Sequence, residues 1–89
     1  MKVVIIQGPS GSGKTTMLEA GCKDAGAEAR LFSATEFESI LRMVERKMLG
    51  LPFSTFVDEV PAALMPKIRK IAKMYSDEYI ITLAMRAST

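Results

Sequence analysis

The chain has no histidine and a single cysteine, Cys22. Histidine is the commonest general base and metal ligand, so any acid/base chemistry here must use carboxylates. Cys22 has no cysteine within the chain to pair with, and it stands among residues of helical character. We therefore predict a small core residue in a reducing compartment, which excludes a fold held together by internal disulfides.

Long apolar runs and a strong excess of one charge are also missing. No run approaches the roughly 20 residues that a membrane-spanning helix needs. Glycine interrupts the apolar start too early for a signal peptide. The 12 basic and 10 acidic residues give a formal charge of +2, which by itself demands no polyanionic partner. We expect a cytoplasmic protein with no membrane segment.

The length and composition indicate one small folded domain over residues 1–89. A chain of 89 residues has room for one core and buries a smaller fraction of its surface than a larger domain does. Its 48% hydrophobic and 25% charged residues are typical of globular proteins rather than disordered ones. Stability is expected to be marginal or to depend on a partner.

Apolar periodicity and turn residues predict alternating strands and helices. The predicted strands are 3–6, 27–33, 53–58 and 79–84. The predicted helices are 14–25, a second opened by a capping box at Thr35 and Glu38 and stopped near 49–52, and a third over 66–75. The β-branched run at 3–6 is typical of a strand buried on both faces. This alternation predicts an α/β fold with a parallel sheet covered on both sides.

Helical spacing also predicts which side chains form the core. The predicted buried positions are Met17, Leu18, Gly21, Cys22 and Ala25 in the first helix, Phe37, Ile40, Leu41, Val44 and Met48 in the second, and Ile68, Ile71, Ala72 and Tyr75 in the third. The methionines at helical spacing are interpreted as flexible core filler.

The stretch QGPSGSGKTT at 7–16 carries the strongest motif. Residues 8–15 match G-x-x-x-x-G-K-[ST] at every fixed position, between a predicted strand and a predicted helix. Glycines let backbone N–H groups converge on phosphate oxygens, and the start of the helix adds positive potential. Lys14 is expected at the β and γ phosphates, and the Thr15 hydroxyl at Mg²⁺. The predicted nucleotide-binding residues are Gly8, Pro9, Ser10, Gly11, Ser12, Gly13, Lys14, Thr15 and Thr16.

Two acids follow the third predicted strand. In a phosphate-loop protein, Asp58 would bind the metal directly or through its water, and Glu59 would polarise the attacking water. Acids also follow strands as helix caps or solvated loop residues, and that alternative stays open. The phosphate loop upstream favours the catalytic interpretation.

Two sets of cations allow a functional and a structural interpretation. Lys67, Arg69, Lys70 and Lys73 lie on one helix without an acid, which indicates either a solvated face or a contact for nucleic acid or an acidic partner. Arg86, after the fourth strand, either reaches a γ phosphate as arginine fingers do or is simply exposed.

Together these motifs resemble the ATPase domain of bacterial replication initiators and helicase loaders, which are P-loop NTPases of the AAA+ class. Residues 29–37 are similar to that family's second strand and helix cap, 56–60 to its acidic strand end, and 79–86 to its sensor strand. DNA-translocating motor ATPases share a similar final strand. The resemblance implies a three-layer fold with strand order 2-3-4-1, ATP and Mg²⁺ as ligands, and a role in DNA replication or DNA movement.

The chain departs from this family at two places. Met85 stands where a polar sensor residue is usual, and the chain stops at Thr89 without the fifth strand and the helical lid. Slow hydrolysis, or none, is therefore expected. The order 2-3-4-1 puts the first strand at a sheet edge, where an apolar strand invites pairing, so we expect a homo-oligomer or a larger ATPase partner.

Three functions remain open from the sequence. The chain is a weak ATPase, or a non-hydrolysing nucleotide-binding regulator or decoy that docks onto a larger ATPase, or a small-molecule kinase. Nucleotide kinases also carry the GPSG of 8–11, but this length leaves no lid over a second substrate. No residue distinguishes adenine from guanine, so the ligand is ATP or another nucleoside triphosphate.

Overall fold

The computed structural model describes residues 1–9 and 11–86, in which strands and helices alternate as predicted. The elements are β1 (Lys2–Gly8), α1 (Lys14–Ala25), β2 (Ala29–Ser33), α2 (Ala34–Glu45), β3 (Ser54–Asp58), α3 (Met65–Ala72) and β4 (Ile80–Arg86). Single 3-10 turns at Gly26–Glu28 and Ala62–Leu64 precede β2 and α3, so β2 begins two residues later than predicted. The α/β class is confirmed. Ser10, a predicted phosphate ligand, lies outside the described residues.

All strand pairs in the sheet are parallel, and the strand order is β1-β4-β3-β2. Read from the other edge, this is 2-3-4-1, so each strand has the neighbours that the sequence analysis expected. In register, Val3 of β1 pairs with Ile81 of β4, which pairs with Thr55 of β3. The carboxyl ends of all four strands therefore meet at one edge of the sheet, which we call the carboxyl edge.

Helices cover both faces of the sheet. The core cluster joins α2 and α3 to alternate residues of the two central strands; its fully buried members include Phe37, Leu41, Ile68, Ile71, Val57, Ile81 and Leu83. On the opposite face α1 packs over β3, where a Cβ added to Gly21 would lie 3.0 Å from Phe56 Cε2. Phe56 and Val57 point to opposite faces because successive strand residues alternate. Cys22 of α1 is half-buried rather than part of this core.

Helix α2 begins two residues before the predicted capping box. Ser33 has an extended backbone, and its Oγ accepts a hydrogen bond of 3.2 Å from the Glu36 N–H. Glu36 Oε1 in turn accepts one of 3.2 Å from the Ser33 N–H. The prediction of Thr35 and Glu38 as the box was wrong, because Thr35 already lies within the helix and Ser33 supplies the cap.

Helix α2 also ends earlier than predicted. Lys47 takes a left-handed φ of 59°, and the Met48 N–H donates to the Met43 carbonyl at 2.9 Å, which closes the last turn. Met48 consequently leaves the helix and is 67% exposed, so its prediction as a core residue was wrong. Met17, the other methionine that we predicted in the core, is exposed too.

The expectation that β1 is buried on both faces was wrong. Val4 and Ile5 are 46% and 41% exposed. Both are uncovered because β1 lies at an edge of the sheet, and α1 on one face and α2 on the other pack mainly over β2 and β3. Helix α3 ends at Ala72, before the predicted Tyr75. None of the helices within residues 1–9 and 11–86 has the length and apolarity that crossing a bilayer requires.

Candidate functional site

A cavity of about 550 Å³ opens at the carboxyl edge of the sheet. It is lined by Gly11, Gly13, Lys14, Thr15, Asp58, Glu59, Val60, Pro61 and Arg86. These residues come from the loop after β1, the start of α1, the end of β3 and the end of β4. Crevices outside the carboxyl ends of the strands are where open parallel sheets bind ligands.

Glycines shape the loop between β1 and α1. Gly11 and Gly13 have φ values of 82° and 86°, in the left-handed region where a side chain is strained by about 1–2 kcal/mol. Gly13 is the N-cap of α1, and the first turn of that helix carries no acid. The helix N-terminus therefore meets the cavity without a carboxylate of its own to neutralise it. A Cβ at Gly8 would lie 2.7 Å from Ser12 Oγ, so the loop folds back tightly on the end of β1.

Lys14 is held against the loop that precedes it. Its Nζ donates to the Gly8 carbonyl at 2.6 Å and to the Pro9 carbonyl at 2.8 Å. An ammonium group has three N–H donors and no acceptor, so these two bonds fix the cation beside the loop and leave donor capacity. The side chain is half-buried, which reduces the solvent screening of its charge.

Thr15 and Asp58 connect the start of α1 to the end of β3. Thr15 Oγ1 donates to Asp58 Oδ2 at 2.8 Å, and Asp58 Oδ1 accepts from the Glu59 N–H at 2.9 Å. A hydroxyl that donates its proton keeps its oxygen lone pairs for another partner. The pair therefore presents a hydroxyl oxygen next to a carboxylate.

Glu59 has a backbone conformation unusual for its residue type. Its φ is 50°, in the left-handed region, and its side chain is exposed at the cavity. The following residue, Val60, is buried, and its N–H donates to the Ala84 carbonyl of β4 at 2.9 Å. This bond fixes the turn after β3 and directs the chain past the cavity.

The register of the sheet places Arg86 at the cavity. It pairs with Gly8, the first glycine of the loop, and its exposed side chain lines the cavity. Its neighbour Met85 pairs with Gln7 and packs against the core cluster on the α2 and α3 side. The end of β4 thus offers a cation to the cavity, while its adjacent residue is apolar.

The fold brings most of the predicted site residues together. Those that line the one cavity are Gly11, Gly13, Lys14, Thr15, Asp58, Glu59 and Arg86. Gly8 and Pro9 contribute carbonyls to Lys14, whereas Ser12 and Thr16 are not among the lining residues. Val60 and Pro61 also line the cavity and were not predicted as site residues, although their position directly after the two acids could have indicated them.

The donor set suits a metal that keeps most of its ligands from water and phosphate. Within residues 1–9 and 11–86 no three His, Cys, Asp or Glu side chains are grouped as a metal cage would require. Magnesium needs no such cage, because it is usually held by one or two protein oxygens together with phosphate oxygens and water. Thr15 and Asp58 provide oxygens of that kind.

Comparisons of the chain with models of protein families, with curated proteins and with solved structures found no match. No relative therefore assigns a reaction or a ligand to the cavity. Its function is inferred from the arrangement of the residues that line it.

Proposed function

We propose that the chain binds a magnesium nucleoside triphosphate, ATP or another base, in the cavity at the carboxyl edge and hydrolyses it slowly. The observation that carries this proposal is the hydrogen bond from Thr15 to Asp58. It joins the phosphate-loop motif to an acid 43 residues away in sequence, and no purely structural glycine turn requires such a partner.

Phosphate binding is assigned to the loop and the start of α1. The left-handed Gly11 and Gly13 allow backbone N–H groups to converge on anionic oxygens, and the N-terminus of α1 adds positive potential. Lys14, already oriented by two carbonyls, carries the full positive charge needed near the β and γ phosphates. All of these contacts are made with phosphate groups, so they do not depend on which base the nucleotide carries.

Thr15 and Asp58 would hold Mg²⁺. The hydroxyl oxygen of Thr15 would serve as a ligand, and Asp58 would orient it and accept hydrogen bonds from metal-bound water. The ion would neutralise charge that develops on the phosphate oxygens.

Hydrolysis is assigned to Glu59 and Arg86. Glu59 is the carboxylate free to orient a water and accept its proton as the oxygen attacks the γ phosphorus and the bond to the β-phosphate oxygen breaks. Arg86 lies at the cavity in the same chain and would stabilise charge on the γ phosphate. Slow turnover is expected because the residue beside Arg86 is Met85, which offers no polar group to position the water.

The same methionine favours a second candidate, a nucleotide-binding regulator without turnover. Met85 packs against the core, so the end of β4 cannot orient a water through that side chain. Such a chain would bind the triphosphate and dock onto a larger ATPase. The resemblance to replication and DNA-motor ATPases suggests that class of partner for either candidate.

Calorimetric titration with magnesium ATP and GTP, run beside a phosphate-release assay, tests the proposal. Lys14→Ala should weaken binding at least about tenfold, equivalent to about 1.4 kcal/mol, because the fixed cation is lost. Lys23→Ala, on the exposed surface of the same helix, is the matched control and should bind as the unmodified chain does.

Phosphate release by the unmodified chain distinguishes the two candidates, and Glu59→Gln tests the role of the carboxylate. If the chain is an ATPase, this variant should lose phosphate release and keep its nucleotide affinity. Binding without phosphate release in the unmodified chain would favour the regulator. No heat with either nucleotide at millimolar concentration would overturn both.

A further inference from the structure

A second cavity lies at the edge of the sheet opposite the nucleotide site. It is a groove of about 360 Å³ lined by Val44, Lys47, Met48, Leu49, Gly50, Met74 and Tyr75, and we call it the methionine groove. These residues follow or end α2 and α3, whose chains lead into β3 and β4. The groove therefore lies at the amino ends of the strands and is not part of the nucleotide site.

The groove exposes large apolar side chains that a solvated surface does not require. Met48, Leu49 and Met74 are all exposed, and Met43 is exposed in the last turns of α2 nearby. Clustered exposed apolar groups indicate an interaction site. Methionine side chains are flexible and polarisable, so they adapt to the apolar residues of a partner.

The two segments that form the groove carry most of the positive charge. Between residues 42 and 50 and between 67 and 75 the only acid is Glu45, and the cations are Arg42, Arg46, Lys47, Lys67, Arg69, Lys70 and Lys73. That leaves five of the 12 cations and nine of the 10 acids for the rest of the chain. Asp77 and Glu78 follow soon after Tyr75, so the segments from 42 to 50 and from 67 to 78 together carry seven cations and three acids. This excess of positive charge favours an acidic partner.

Lys47 lines the groove in a strained conformation. Its left-handed φ of 59° is at the end of α2, where glycine is the usual residue. A glycine would satisfy the same backbone hydrogen bonds without strain. Lysine at this position therefore destabilises the fold relative to glycine, and strained residues are concentrated at functional sites.

The aromatic residue of the groove is already engaged. The Tyr75 hydroxyl accepts a hydrogen bond of 3.2 Å from the Leu51 N–H, and its ring packs edge-on against Tyr79 at 4.8 Å. Proteins that bind single-stranded nucleic acid rely on aromatic rings that are free to stack on bases. The engaged tyrosine and the apolar lining both favour a protein segment over nucleic acid.

We propose that the methionine groove binds an acidic amphipathic helix of a partner protein. The apolar face of that helix packs on Met48, Leu49 and Met74, and its carboxylates face Lys47, the cation that lines the groove. This inference is independent of nucleotide binding, because no residue of the groove lines the cavity at the carboxyl edge.

Fluorescence anisotropy with labelled designed peptides tests the proposal on the full chain. The probes are a panel of helical peptides with leucine at positions i, i+3, i+4 and i+7 and glutamate on the flanking positions. Peptides of the same composition in scrambled order are the control ligands. Patterned peptides should bind, and scrambled ones should bind at least about tenfold more weakly.

Variants locate the binding to the groove. Met48→Glu should weaken binding by about tenfold or more, because it puts a carboxylate among apolar and acidic partner groups. Met17→Glu makes the same change at an exposed methionine on α1 and should bind the peptides unchanged. Equal binding by both variants would overturn the proposal, as would no binding by any patterned peptide at millimolar concentration.

Lys47→Gly tests whether the Lys47 side chain contributes to peptide binding. It should raise the denaturation midpoint, because the backbone strain is relieved, and weaken peptide binding by about threefold, because a cation is lost. A higher midpoint with unchanged peptide affinity would contradict a role for Lys47. Tighter binding of duplex DNA, or of phosphatidylserine vesicles, than of any patterned peptide would assign the basic region to those partners and overturn the proposal.

Discussion

The side chain of Thr55 is fully buried in β3, and its hydroxyl has no hydrogen-bond partner among the residues that the structure describes. It faces the apolar core between the sheet and the α2 and α3 layer, in register with Ile81. An unpaired buried hydroxyl destabilises the folded state, since in the unfolded chain water satisfies it.

Thr55→Val should therefore raise the free energy of unfolding by about 1 kcal/mol, because it removes the unpaired hydroxyl and keeps the shape of the side chain. Urea denaturation measures the change. The matched control is Thr82→Val in β4, which is half-buried. A loss of stability in the Thr55 variant alone would mean that this hydroxyl has a partner such as a bound water.

Two side-chain-bearing residues in the described part of the chain have left-handed backbones, Lys47 and Glu59, and each lines a different cavity. Composition and spacing gave no sign of either conformation. The left-handed backbone of each residue is stabilised by a hydrogen bond of the residue that follows it, Met48 after Lys47 and Val60 after Glu59. The motif predicted that Glu59 belongs to the site, but its orientation follows from the turn after β3.

Among the elements, α1 was predicted to the residue and α2 was not. Glycines with positive φ bound α1 at both ends, at Gly13 and Gly26. The start of α2 offers two overlapping cap patterns, Ser33 with Glu36 and Thr35 with Glu38. Which of the two caps forms depends on where β2 ends. β2 extends through Ser33, because Ser33 still pairs with Asp58 of β3.

Ser33→Ala should lower the free energy of unfolding by about 1 kcal/mol, because the first turn of α2 loses the acceptor for the Glu36 N–H. Thr35→Ala is the control, and it should change stability by no more than a few tenths of a kcal/mol, since alanine is a good helix former inside the first turn. Thermal or urea denaturation measures both. A larger effect at Thr35 would contradict the observed cap.

At the scale of the whole molecule, β1 is an edge strand whose outer side has no partner strand in residues 1–9 and 11–86. Val4 and Ile5 are exposed on opposite faces of it. An apolar edge without proline or a bulge invites pairing with another strand. We propose that this edge mediates self-association.

Ile5→Lys should shift the chain toward monomer, because a charge on an edge strand disfavours strand pairing. Sedimentation velocity over a range of protein concentrations measures the shift. Met17→Lys adds the same charge at an exposed apolar position of α1 and should leave the association unchanged. An unmodified chain that stays monomeric at every concentration would contradict self-association through β1.

The sequence by itself determined the alternation of strands and helices, the glycine loop at 8–15 and the acid pair at the end of β3, because periodicity and turn chemistry act over a few residues. Only the tertiary structure decided which of these groups meet. The contact of Thr15 with Asp58 and the approach of Arg86 to Gly8 depend on strand order and register. Met48 is exposed because α2 ends before it, and Val4 is exposed because α1 covers other strands. Neither the end of α2 nor the position of α1 on the sheet is determined by a few neighbouring residues.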